Sequence, residues 1–431
     1  MPPAHASLLV RNGHLIDPAN KIDAALDVLI TDGLVDQIGE NLDSPEGTPI
    51  LDASGLVVAP GFIDVHVHLR EPGFAHKETI ATGTAAAAAG GICAVAAMPN
   101  TDPPPDSVAH LEEMQHCAQR AAVRFYPIAC ITTGRAGGEL APLEELAAAG
   151  AVAFSDDGDP VEDADLMRQA LEIARQLDRP IFPHEEVKRL TAGGCMHEGE
   201  VSARLGVKGM PAAGEEEMIA RDIELVRQTG GPLHIAHIST AAAVDLVRRA
   251  KKDNLPVSCE VLPHHFVLTD EAVERQGSAA KMSPPLRSAT DVEAMRVALA
   301  DGTIEVISTD HAPHSAVEKQ LPLEQAPFGI VGLETAIGLT LTYLVEPGVI
   351  DLRAAIEKWT WLPARILRLP GGRLSPGDLG DLTLIDPERE WTVATARLRS
   401  KSKNTPFDGY RLKGKAVVTV VGGQVVYSET A

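Results

Sequence analysis

The sequence predicts an α/β protein: a (β/α)8 barrel carrying a small discontinuous β-domain made from its N- and C-terminal segments. Three observations predict it. Short apolar runs alternate eight times with helix-patterned text; both ends of the chain are strand-rich instead; and no Gly-x-Gly-x-x-Gly follows any run, as a dinucleotide-binding open sheet would have it. Parallel strands need long crossovers, and helices fill them.

In order along the chain, Ser7–Arg11, Leu26–Thr31 and Leu34–Ile38 read as short strands, with Asn12-Gly13 and Asp32-Gly33 as turn signals. The barrel runs follow: Gly61–Leu69, Gly91–Asn100, Val123–Thr132, Ala151–Asp157, Pro180–Glu185, Pro232–Ser239, Pro256–His265 and Ile304–His311. Helical periodicity fills the gaps. Asp163–Asp178 places Leu166, Met167, Ala170, Leu171, Ala174 and Leu177 on one face at steps of three and four. Near the C-terminus Asp381–Ile385, Ala416–Val421 and Gln424–Tyr427 return to strand texture, with Gly422-Gly423 as a hairpin turn. The expected organisation is a β-domain from 1–58 and 370–431 around a barrel of 59–369.

The chain has 431 residues, 38 basic and 60 acidic side chains and a net charge of −22. That balance argues against nucleic acid and anionic membrane as partners, since both need clustered Lys and Arg. A small anionic substrate stays compatible, because a few local cations override the global sign. Five Cys lie scattered with no CxxC pair, so no disulfide framework is expected. The start shows no signal-peptide pattern, and the uncharged stretch Ile80–Pro99 is too rich in Ala, Gly and Thr to enter lipid, so a cytoplasmic protein is expected.

Active sites of such barrels gather at the carboxyl ends of the strands. The first run ends in His66-Val67-His68-Leu69-Arg70, the fourth in Asp156-Asp157, the fifth with His184, the sixth with His237 and the eighth with Asp310-His311. Residues two apart on a strand share a face, so His66 and His68 can both look inward. One His or Asp at a strand end is usually a hydrogen-bonded turn residue. Metal-competent side chains at five ends of eight are not explained that way, and imidazole with carboxylate suits zinc. His234, an odd step from His237, is expected on the opposite face, and His264 and His265 are expected to be structural. Cys93, Cys130 and Cys259 lie in apolar runs and read as inert core. No GxSxG, HExxH or GxxxxGK[ST] motif offers a rival chemistry.

The run Pro60-Gly61-Phe62-Ile63-Asp64-Val65-His66-Val67-His68-Leu69-Arg70-Glu71-Pro72-Gly73 resembles the opening of the amidohydrolase superfamily, and more narrowly of the class I (long-chain bacterial) dihydroorotases. Met98–Thr101, Phe154–Gly158, Pro284–Arg287, Ser308–His314 and Ser402–Pro406 resemble further motifs of that family in order, so the similarity spans nearly the whole chain. The resemblance implies zinc, one or two ions per subunit. His66, His68 and Asp310 would hold one, His184 and His237 a second, and Asp157 would bridge them, although either Asp of the Asp156-Asp157 pair is open on position alone. It implies substrate contacts from His68, Arg70, Asn100, Ser283 and His314, with Phe328 and Gly329 against the ring. The implied reaction is the reversible cyclisation of N-carbamoyl-L-aspartate to L-dihydroorotate in pyrimidine synthesis, with hydroxide as nucleophile and Asp310 as proton shuttle. A homodimer and a complex with aspartate carbamoyltransferase are both open.

Two positions depart from the family pattern. His184-Glu185-Glu186-Val187 stands where His-Cys-Glu-Asp is usual, and Ser283 stands where an Asn is frequent. Dihydropyrimidinases, hydantoinases and allantoinases are the alternative; they generally bridge their metals with a carboxylated Lys on the fourth strand, and Ala151–Gly158 contains no Lys. A non-catalytic scaffold for aspartate carbamoyltransferase should have lost metal ligands, and this chain keeps all six. The polar stretch Pro313–Phe328 is expected to act as a lid.

Overall fold

All eight apolar runs reach one closed wall. The computed structural model describes residues 6–429. Phe62–Val67, Ile92–Ala97, Arg124–Ala129 and Ala153–Phe154 pair in parallel in that order. Leu233–Ile235, Val257–Val261 and Val306–Ile307 form a second parallel arc. Ile181 bridges Phe154 to Leu233, and His311 bridges back to Val67, which closes the barrel. The fifth run contributes little more than Ile181. Pro180 and Pro183 flank it, and neither has an N–H to give to a ladder.

Helices cover the wall as the periodicity predicts. Ala164–Leu177 starts where the Asp163 carboxylate accepts from the backbone N–H groups of Asp165 and Leu166 at 2.8 and 3.0 Å. It buries Met167, Ala170, Leu171 and Ala174, and ends at Asp178 in the left-handed region. The uncharged stretch Ile80–Pro99 resolves into a helix, Ile80–Ala89, and the second barrel strand, both almost wholly buried. Its small side chains let the backbone press close: a Cβ on Gly90 would lie 2.0 Å from the Leu333 carbonyl oxygen. Among the described residues no helix is long and apolar enough to cross a membrane.

Both ends of the chain share one six-stranded sheet. Its order is Gln424–Ser428, Arg411–Val421, Leu382–Thr392, Val57–Pro60, His14–Asp17 and Ile22–Ala25. A four-stranded sheet of Leu34–Gly39, Asp27–Thr31, Leu8–Arg11 and Ile50–Asp52 lies beside it, sharing an apolar core with it through Leu8, Val10, Leu15, Val58 and Leu384. Within these two sheets four strands escape the sequence reading: His14–Asp17, Ile22–Ala25, Ile50–Asp52 and Val57–Pro60. Each has three or four residues, too few to show a period. Leu382–Thr392 also runs beyond Ile385 through charged Asp386–Glu390, where register shifts carry the strand out toward solvent.

Candidate active site and metal centre

The carboxyl ends of the strands bring together six side chains named from sequence. His66 and His68 leave the first strand on one face, and both are buried. Behind them Asp64 accepts from the Thr309 hydroxyl at 2.6 Å and from the backbone N–H of His66 at 3.2 Å, tying the first strand to the eighth. Arg70 (φ 62°), Arg135 (φ 56°), His237 (φ 32°) and Asp310 (φ 43°) at this end have left-handed backbone. Such conformations in non-glycine residues cluster at functional sites, where the surrounding fold holds them.

Asp157 is the hub. Its Oδ1 lies 3.6 Å from His66 Nε2, 3.5 Å from His184 Nδ1 and 3.4 Å from His237 Nε2, and its Oδ2 lies 3.4 Å from His68 Nε2. Asp310 Oδ1 is 2.8 Å from His68 Nε2 and 3.6 Å from His66 Nε2. Asp156 turns away and accepts from the backbone of Ile131 and Thr132 at 2.9 and 3.2 Å. The donor set fits a metal. His66 Nε2, Asp157 Oδ1 and Asp310 Oδ1 are buried without a hydrogen-bond partner. Donors about 2.1 Å from a tetrahedral ion sit about 3.4 Å from one another, close to most of these spacings. Asp157 belongs to two triads able to hold an ion, one with His66 and His68, the other with His184 and His237.

The electrostatics match. Burial opposes ionisation of Asp157, but the His66 charge and the imidazoles of His184, His237 and His66 facing it hold its carboxyl well below the usual range. Burial also opposes a charged His184, yet Asp157 and Glu186 win and push it up to about 9. These carboxylates are built to face positive charge.

A cavity of about 320 Å³ opens above the cluster. His68, Arg70, Asn100, Ser283, His314, Phe328 and Gly329 all line it. Asn100 Oδ1 lies 2.8 Å from His68 Nδ1 and orients that ring. Arg70 is buried; its Nε donates to the Pro313 carbonyl at 3.2 Å, and among the described residues it makes no ion pair. Burial draws its guanidinium down to about 10, still charged at neutral pH.

Sequence reasoning missed two contributors. Glu260, wholly buried in the seventh strand, accepts from His66 Nδ1 at 2.6 Å and from the His237 backbone N–H at 3.3 Å. Its signal was a lone charge inside an apolar run. Glu186 lies 3.2 Å from His184 Nε2 and 2.7 Å from Lys188 Nζ. His234 corrects an expectation. It faces the same interior carboxylate, with Nε2 3.6 Å from Glu260, because the sixth strand stops at Ile235 and the turn at His237 breaks the alternation. His265 has the structural role expected of it, bonded to the Pro284 carbonyl at 3.0 Å.

Comparison with known proteins agrees with this geometry. A family model described as dihydro-orotase-like matches residues 55–243. The dihydroorotase of Citrifermentans bemidjiense is 52% identical, over 98% of this chain and 99% of that protein. That of Pelotomaculum thermopropionicum is also 52% identical, over the same shares. Among solved structures, the L-hydantoinase (dihydropyrimidinase) of Arthrobacter aurescens superposes with a TM-score of 0.89 at 26% identity, covering 99% of this chain and 96% of that one. The D-hydantoinase of a Thermus species gives 0.84 at 26%, covering 98% and 96%. A metal-competent cluster at the mouth of an amidohydrolase barrel and near-full-length identity of about half to curated dihydroorotases lead to one conclusion: the chain belongs to the dihydroorotase family.

Proposed function

We propose that this protein is a zinc-dependent dihydroorotase, interconverting N-carbamoyl-L-aspartate and L-dihydroorotate in pyrimidine synthesis. His66, His68, Asp157, His184, His237 and Asp310 would hold one or two zinc ions. The observation that carries the substrate assignment is Arg70: a buried guanidinium with no ion pair among the described residues, lining the cavity beside the metal-competent cluster. It asks for an anion, and its planar fork suits a carboxylate. An uncharged hydantoin or dihydrouracil ring would leave it unanswered.

Zinc, when bound, lowers the pKa of water toward about 7 and polarises the attacked carbonyl. The rest falls to the chain. Arg70, Asn100 and His314 orient the substrate carboxylate, and Phe328 with Gly329 bounds the ring. Asp310 is held ionised, by the charges of His66 and His68 against the cost of burial. In hydrolysis its carboxylate can accept the proton of the attacking water and pass it to the departing ring nitrogen. Ring closure reverses the path.

The test is to follow both directions with the zinc-loaded enzyme. Carbamoyl-aspartate carries two carboxylates and dihydroorotate one, so closure consumes one proton and releases water. The equilibrium should shift toward the ring about ten-fold for each unit of falling pH between about 6 and 8, where neither carboxylate titrates. Preference for dihydrouracil over dihydroorotate would overturn the assignment.

A further inference from the structure

Two cations meet opposite nitrogens of one imidazole. Arg70 Nη2 lies 3.3 Å from His314 Nε2, and Lys77 Nζ lies 3.4 Å from His314 Nδ1. Burial first, then the charges of Arg70 and Lys77, draw the ring down to about 2, so it is neutral at working pH. A neutral imidazole has one N–H and one acceptor nitrogen. It therefore cannot accept from both cations at once.

The surroundings favour one tautomer. Arg70 has another outlet, since it lines the cavity where an anion would sit. Lys77 does not line it. Its Nζ is held 2.8 Å from Glu318 Oε1, behind His314. Glu318 is fixed in turn: its Oε2 accepts from the Ser315 backbone N–H at 2.9 Å and from the Ser315 hydroxyl at 2.7 Å, capping the helix Ala316–Lys319. The Ser402 hydroxyl donates to the Lys77 carbonyl at 2.6 Å and fixes the backbone. If Nδ1 accepts from Lys77, Nε2 carries the proton. That places two N–H donors side by side at the cavity wall, one from His314 and one from Arg70, and among the described residues no acceptor serves both. A carboxylate supplies the two missing acceptor oxygens.

We propose that Lys77 is a positioning residue for the substrate carboxylate. Latched by Glu318 to the loop that follows the eighth strand, it fixes His314 as the Nε2–H tautomer and so makes that ring a second donor beside Arg70. The inference rests on the dihydroorotase reading for its ligand, not for its geometry.

The experiment has two arms. Imidazole ¹⁵N spectra of the zinc-loaded enzyme, with the His314 signal assigned through His314→Gln, should show Nε2–H in the wild type. Lys77→Met should move it to Nδ1–H, as Nε2 becomes free to accept from Arg70. In the kinetic arm Lys77→Met should raise KM for dihydroorotate about ten-fold, the size of one charge-supported hydrogen bond, with kcat falling less and zinc content unchanged. Lys77→Arg should recover much of the loss. Glu318→Gln, which leaves Lys77 in place, should shift both readouts partway. A wild-type Nδ1–H tautomer, or an unchanged KM in zinc-replete Lys77→Met, overturns the proposal. If the wild type does not turn over dihydroorotate, the functional assignment fails, and the spectra still decide the tautomer.

Discussion

At Asp310 an asparagine would keep the shape of the side chain and one oxygen, but its amide takes no proton at neutral pH. Asp310→Asn should therefore keep the fold and much of its zinc, while turnover in both directions drops by a factor on the order of 10²–10⁴. Single-turnover rates beside metal analysis check this, and near-normal turnover with metal bound would make Asp310 a spectator. Glu260 works one step back, through the Nδ1 of His66. Glu260→Gln removes its charge without emptying its space, and zinc affinity should weaken about 10- to 100-fold, the usual cost of losing a partner of a metal-binding His. Competition against a chelator reads this without any assay of activity. The six clustered residues were legible because each closes an apolar run, where a polar side chain has no packing reason to be. Glu260 was not, since it sits inside its run and declares its partner only when the seventh strand lies beside the first. Between Asp156 and Asp157 position alone gave no choice, and only the family resemblance favoured Asp157. Asp156 is taken up by the backbone of Ile131 and Thr132, a neighbour no local pattern reveals.

Between the eighth strand and the next helices, residues 312–330 form a loop whose two ends line the cavity through Ala312, His314, Phe328 and Gly329. Lys319 staples it from within, with Nζ donating to the carbonyls of Pro327 at 3.0 Å and Gly329 at 2.9 Å. Gly329 sits at φ 149°, and a Cβ there would lie 2.5 Å from the Ala312 carbonyl oxygen and 2.7 Å from His314 Cδ2. Gly329→Ala should therefore displace the His314 ring. The expected result is a rise of about ten-fold or more in KM for dihydroorotate, from loss of a hydrogen bond to a charged group, with zinc content unchanged; normal KM would mean the loop relaxes freely. Sequence gave this loop as a long polar stretch. It did not give the staple, because a Lys reaching back to carbonyls eight and ten residues on leaves no period.

One joint between barrel and terminal sheet is made where Arg124, from the third barrel strand, forks onto Asp381 just before the strand Leu382–Thr392. Its Nε and Nη2 donate at 2.6 and 2.8 Å. Asp381 Oδ1 also accepts from the Gly422 backbone N–H at 2.7 Å, and its carbonyl accepts from Gly61 N–H at 2.8 Å. Both side chains are nearly buried, so Asp381→Asn strands the guanidinium and should cost about 3 kcal/mol. A lowered urea midpoint in enzyme that still binds zinc is the expected reading. The barrel was legible because each strand neighbours the next in sequence. The terminal sheet was legible only as texture: Val57–Pro60 pairs with Leu382–Ile385 across the entire barrel, and nothing in either strand names the other. That pairing bears on how the chain is made. Synthesis delivers Val57–Pro60 early, with His14–Asp17 already available on one flank. Its other neighbour leaves the ribosome only after all eight barrel strands. Until then a buried four-residue apolar edge stands open, and the nascent protein depends on its final stretch of chain to cover it.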